Sequence, residues 1–263
     1  MTWQRGSACG AAMAERIDLN ADLGESFGRW QLGDDAGLLP FLTSANIACG
    51  FHAGDPATLV RTCSIAVEHS VRIGAQVAYR DLAGFGRRFV DASYEELFAD
   101  VLYQIGALDG IARSQGGRVA YVKPHGALYN TAVHHETHAR AVVDAAIAAG
   151  GLPVMGLPGS RLLTFAAAAG LTCYAEAFVD RGYAADGTLV PRSAKGAVIT
   201  HTLEVCDRAT SIAVDHRVRS ITGEMVPIEA DSLCLHGDTA GAVDLAHAVR
   251  DALQAAGVRV AAP

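Results

Sequence analysis

The chain has 263 residues, 51% hydrophobic and 19% charged, enough apolar material to bury roughly three-quarters of its unfolded surface; a chiefly disordered state is excluded. Its 21 basic and 28 acidic side chains leave a formal charge of −7 with no block of like charges, which argues against a nucleic-acid partner. No run of 18 apolar residues is present, so no membrane-spanning helix or membrane partner is expected.

Residues 1–14 carry no continuous apolar stretch of signal-peptide length and read as a disordered or start-site extension, which points to a cytoplasmic protein. From Ile17 onward, short apolar or β-branched runs alternate with longer helical patterns, the signature of repeated βα units. Strands are predicted at 17–22, 45–49, 73–77, 119–123, 153–157, 172–178 and 232–235. Helices are predicted at 56–70, where Pro56 opens the first turn, and at 94–114, where Ser93 and Glu96 form a capping box. Others are expected at 135–149, 160–169, 193–215 and 239–255, and residues 217–229 read as an inserted hairpin. The expected architecture is α/β, one domain over 15–263 built as a seven-stranded (β/α) barrel. Cys9, Cys49, Cys63, Cys173, Cys206 and Cys234 are scattered without a Cys-x-x-Cys pair and read as reduced, buried small hydrophobes.

The unusual polar residues fall where the predicted strands end, and in a parallel barrel those ends converge on one face. Asp18, Asn20 and Asp22 alternate along the first strand. Such residues inside a barrel are costly unless paired or bound to something, which makes Asp22 the leading general base or metal ligand. Asn46 and His52 follow the second strand, with glycines flanking the imidazole; His52 is a proton carrier or ligand, while Asp55 reads as a helix cap. Lys123 and His125 follow the fourth strand, one suited to a developing oxyanion or phosphate and the other to proton transfer. Glu25 also follows the first strand, Gln76, Glu176 and His236 end other strands, and Arg87 lies in a glycine-rich turn fit to clamp a phosphate or carboxylate. These four, with Asn20, Asn46 and Arg87, are the expected substrate or phosphate contacts. P-loop, Rossmann, Gly-x-Ser-x-Gly and His-Glu-x-x-His motifs are all missing.

Residues 18–25, 46–56, 84–88, 121–130, 157–160, 176–183 and 235–238 together resemble the LamB/YcsF family, collinearly over the whole proposed domain. The resemblance implies a barrel of the glycoside hydrolase and deacetylase type, and membership as component A of an ATP-dependent 5-oxoprolinase. It further implies 5-oxo-L-proline as substrate, ATP as co-substrate accompanied by a divalent metal, magnesium, and partner subunits B and C; a homo-oligomer is left open. One departure is visible: the histidine common after the third strand is Gln76, and a proline is replaced by Arg80. Glutamine still hydrogen-bonds a lactam or phosphate. Two other readings stand beside this one. The chain is a substrate-binding subunit without chemistry of its own, or a metal-dependent deacetylase in which Asp22, His52 and His125 hold the ion.

Overall fold

The computed structural model describes residues 16–192, 194–238 and 241–263; the proposed extension at 1–14 lies outside them. In chain order the elements are β1 (Arg16–Leu23), α1 (Asp35–Leu38), β2 (Ser44–Ala48), α2 (Pro56–Glu68), β3 (Arg72–Val77), α3 (Tyr94–Ser114), β4 (Val119–Pro124), α4 (Gly126–Thr131) and α5 (Glu136–Ala148). There follow β5 (Val154–Gly156), α6 (Arg161–Ala168), β6 (Cys173–Phe178), α7 (Thr202–Asp215), β7 (Arg217–Arg219), β8 (Met225–Pro227), β9 (Ser232–Leu235), α8 (Ala242–Ala255) and β10 (Arg259–Val260).

Seven parallel strands run β1-β2-β3-β4-β5-β6-β9, and pairing of β9 with β1 closes them into a barrel. Strand alternation explains the composition. In β1, Leu19, Ala21 and Leu23 are buried in the hydrophobic core shared with the surrounding helices, while Asp18 and Asn20 are equally buried but bond across the barrel. Register then fixes neighbours: Asp22 lies beside Asn46, Gln76 beside Lys123, and Glu176 beside Ser232.

Local chemistry sets the helix starts. Asp55 accepts from the amides of Ala57 and Thr58 ahead of Pro56, and Ser93 and Glu96 make the expected reciprocal cap. β7 and β8 form the antiparallel hairpin read from sequence. One helix begins later than its pattern: α7 starts at Thr202 rather than at 193, a position outside the described residues. Leu189 and Val198 instead pair back on the exit of β6, Leu189 with Tyr183 and Val198 with Arg181, which draws the backbone at those positions away from helix. β10 pairs with the start of β1 outside the barrel and had no distinct signal in sequence. No helix among the described residues is long and apolar enough to cross a membrane.

Candidate active site

At the C-terminal ends of the strands lies a cavity of about 540 Å³, lined among others by Asp22, Arg87, Lys123, His125, Arg181 and His236. The Lys123 ammonium is buried and lies 2.9 Å from Asp22, 2.8 Å from Glu176 and 3.3 Å from Cys234 Sγ, with the Phe178 ring 5.3 Å away. Burial opposes its charge, yet the two carboxylates hold its pKa well above the lysine range. Burial likewise opposes ionisation of Asp22, but Lys123 and then His125 outweigh it and hold that carboxyl well below its usual range. Glu176 shows the other balance: burial prevails over Lys123, and its pKa is raised.

Beneath this layer is a polar column that is not part of the cavity lining. Asn46 donates to Asp22 at 3.0 Å and to Asn20 at 2.7 Å, and the Tyr121 hydroxyl donates to Asn46 at 2.7 Å. Asn20 donates to Ser232 at 2.6 Å, and the hydroxyls of Ser232, Thr43 and Ser44 donate to Asp18. Asn20 and Asn46, expected as substrate contacts, are fully buried here and position Asp22.

On one wall, His236 donates through Nδ1 to Asp180 at 2.8 Å, and its backbone amide donates to the same carboxylate at 2.9 Å. Burial raises the Asp180 carboxyl, but His236 more than compensates and its pKa is lowered. The neighbouring Arg181, which sequence reasoning passed over although it ends the same strand, is buried and held by the carbonyls of Ala197 and Val190. Arg192, also lining the cavity, adds a further cation. Arg87 lines the cavity at its rim, paired with Asp238 at 3.2 Å over the Phe85 ring. Arg88 is committed to Asp81 and gives the site nothing.

Glu25, His52 and Gln76 do not line the cavity. His52 is fully buried and stacks on His125 with ring centroids 4.0 Å apart, and Phe85 meets both rings edge-on. Burial, then the neighbouring His125, lowers the His52 pKa to about 4, so the ring is neutral at neutral pH. Gln76 donates to Glu25 at 3.1 Å and to His125 Nδ1 at 2.8 Å. His125 Nε2 donates to the Phe85 carbonyl at 3.1 Å, so both of its ring nitrogens are engaged. The close approach of the Phe85 loop depends on glycine. A Cβ on Gly86 (φ +67°) would stand 2.9 Å from both His52 and His125, and one on Gly126 (φ +56°) would stand 2.5 Å from the Gly86 carbonyl.

His138 is buried, with its Nδ1 2.6 Å from the Tyr79 hydroxyl. The start of α6 is capped by Ser160. The described cysteines, Cys49, Cys63, Cys173, Cys206 and Cys234, are free thiols.

The sequence profile of the LamB/YcsF family matches residues 17–263. The A component of 5-oxoprolinase from Streptomyces avermitilis is 60% identical over 94% of this chain and 99% of its own, and that from Mycobacterium marinum is 56% identical over 94% and 98%. The crystal structure of a lactam utilization protein from Thermus thermophilus superposes with a TM-score of 0.89 at 43% identity, covering 94% of this chain and all of that one. A substrate-bound deacetylase, T48, shares the fold alone, with a TM-score of 0.51 at 11% identity over 95% and 88% of the two chains.

Proposed function

This chain belongs to the LamB/YcsF family, and from that premise we propose that it is component A of a 5-oxoprolinase, opening 5-oxo-L-proline to L-glutamate at the expense of ATP. The observation that carries the reading is the meeting of Asp22, Lys123, Arg181 and His236 in one cavity large enough for a small anionic lactam.

An unstrained lactam carbonyl is a poor electrophile, so ring opening at neutral pH needs activation. Transfer of the ATP γ-phosphoryl group to the lactam oxygen gives ADP and an electrophilic carbon. Water then adds its oxygen to that carbon and gives a proton to a base. The carbon–nitrogen bond breaks, the nitrogen receives a proton, and hydrolysis of the remaining acyl phosphate at carbon releases glutamate and phosphate.

The residues fit this sequence of charges. Lys123 is positioned to stabilise negative oxygen as it develops. Asp22, held ionised and oriented by Asn46, is available as the base. His236, with Nδ1 fixed by Asp180, leaves Nε2 for proton delivery, a role that suits it better than His125, whose nitrogens are both engaged. Arg181, Arg192 and Arg87 supply the charge for the substrate carboxylate and for phosphate. ATP, its accompanying magnesium and the partner subunits B and C belong to this proposal.

The test is glutamate and phosphate release from 5-oxoproline and ATP, by the chain alone and mixed with subunits B and C. Release in the mixture is expected, with ¹⁸O passing from the lactam carbonyl into phosphate. No release in either arrangement sinks the proposal, and release without ¹⁸O transfer sinks amide activation.

A further inference from the structure

Glu25, His52, Gln76 and His125 form a compact buried set that the lactam chemistry above leaves unused. One oxygen of Glu25 lies 3.4 Å from His52 Nε2, 3.6 Å from His125 Nδ1 and 3.1 Å from the Gln76 amide nitrogen. One ligand atom from each of Glu25, His52 and His125 falls within 4.8 Å of the others. His52 and Gln76 are fully buried, with Glu25 and His125 nearly so.

Three features of this set are unexplained by packing. Neither nitrogen of His52 makes a hydrogen bond, although an imidazole buried that completely normally finds a partner. The side-chain oxygen of Gln76 is also buried without a partner. His125 gives its Nε2 proton to the Phe85 carbonyl, which fixes the tautomer and turns the Nδ1 lone pair toward Glu25, where the Gln76 amide nitrogen meets it at 2.8 Å. An outer carbonyl that orients a ring in this way is the usual support of a ligating histidine.

The spacing has a simple source. Atoms bound about 2.0–2.2 Å from one tetrahedral ion lie roughly 3.3–3.6 Å from each other, which matches the separations of Glu25 from the two imidazoles. A half-turn of the Gln76 amide exchanges its nitrogen for its unpartnered oxygen and adds a fourth donor.

The geometry points to a divalent transition-metal site in which Glu25, His52 and His125 are the ligands and Gln76 supplies an amide oxygen. Asp22, expected in that role from sequence, bonds Lys123 and Asn46 through Oδ1 and places Oδ2 3.6 Å from His125 Nδ1, at the edge of the set. Two imidazoles with one carboxylate suit zinc and its first-row neighbours; magnesium and calcium prefer all-oxygen sets. The site is distinct from the magnesium that accompanies ATP and does not depend on the lactam reading. Through His125 it adjoins the cavity.

The experiment uses the full chain, stripped with a chelator, and needs neither 5-oxoproline nor ATP. Zinc is titrated by calorimetry, and cobalt(II) is followed by its visible absorption. One equivalent of each is expected, with the cobalt bands of a four- or five-coordinate nitrogen and oxygen site. Binding should be lost in Glu25→Gln and His52→Gln, weakened about 10–100-fold in Gln76→Ala, and unchanged in His247→Ala, a histidine on the exposed surface. Thermal melting establishes that each variant is folded; if those two do not fold, the Gln76→Ala cobalt spectrum reads the same site. Absence of stoichiometric zinc or cobalt on the folded wild type overturns the inference, as does binding that persists in folded Glu25→Gln or an unchanged Gln76→Ala spectrum. Saturation by magnesium in place of zinc overturns the metal class.

Discussion

Lys123 and Asp22, 101 residues apart, meet as a buried ion pair at 2.9 Å on the floor of the cavity, and Glu176 closes on the same ammonium from the other side at 2.8 Å. One cation thus serves two carboxylates in a place with little water. Replacing Lys123 by methionine removes the one cation both face and leaves Asp22 only the Asn46 bond and the neighbouring His125, and a loss of about 3–5 kcal/mol in stability is expected. Urea unfolding measures it; a loss under about 1 kcal/mol, the scale of an exposed pair, would show that the interior is wetter than this geometry implies.

The second prediction concerns acid. A histidine whose pKa falls from 6.5 unfolded to about 4 folded is protonated first in the unfolded chain. The stability tied to neutral His52 is therefore complete above pH 6.5 and is lost as pH drops toward 4, about 3 kcal/mol in all. Asp18 and Glu176, raised by burial, shift stability in the opposite direction. The quantity to follow is consequently the difference between chelator-treated wild type and His52→Gln across this window. Parallel curves would refute the assignment.

Asp180 offers a third. It receives both the ring proton and the backbone amide of His236, charge-assisted bonds worth about 1.5–3 kcal/mol each when buried. Asp180→Ala should destabilise the chain by at least one such bond, and in the assembled enzyme it should lower kcat more than it raises KM. A variant with wild-type stability and turnover would remove Asp180 from any orienting role.

Arg87 is more exposed and its partner, Asp238, is also on the rim. Arg87→Ala should therefore fold normally and raise KM for 5-oxoproline by about tenfold, the worth of roughly 1.4 kcal/mol of binding. An unchanged KM would leave the buried Arg181 and the half-buried Arg192 as the carboxylate contacts.

Much of this protein is written locally in its sequence. The seven strands of the barrel announce themselves by short apolar runs, and the caps at Asp55 and Ser93 by residues whose side chains bond amides two or three positions away. Such features depend on near neighbours, so a one-dimensional pattern is sufficient to find them. Convergence of the strand ends likewise follows from parallel topology, which is why Asp22, Lys123, His125 and His236 could be grouped before any coordinates. Which atoms then meet is decided by strand register and side-chain direction across the closed barrel. Register sets Asp22 beside Asn46 and leaves Glu25, three residues further on, to face His52 and His125; it also buries Asn20 beneath the cavity that it was expected to line. Leu189 and Val198 are placed by bridges to the exit of β6, and Arg181 is held there by the Ala197 carbonyl, contacts that no local pattern announces. Distances between residues a hundred positions apart are properties of the closed sheet, and only the tertiary structure supplies them.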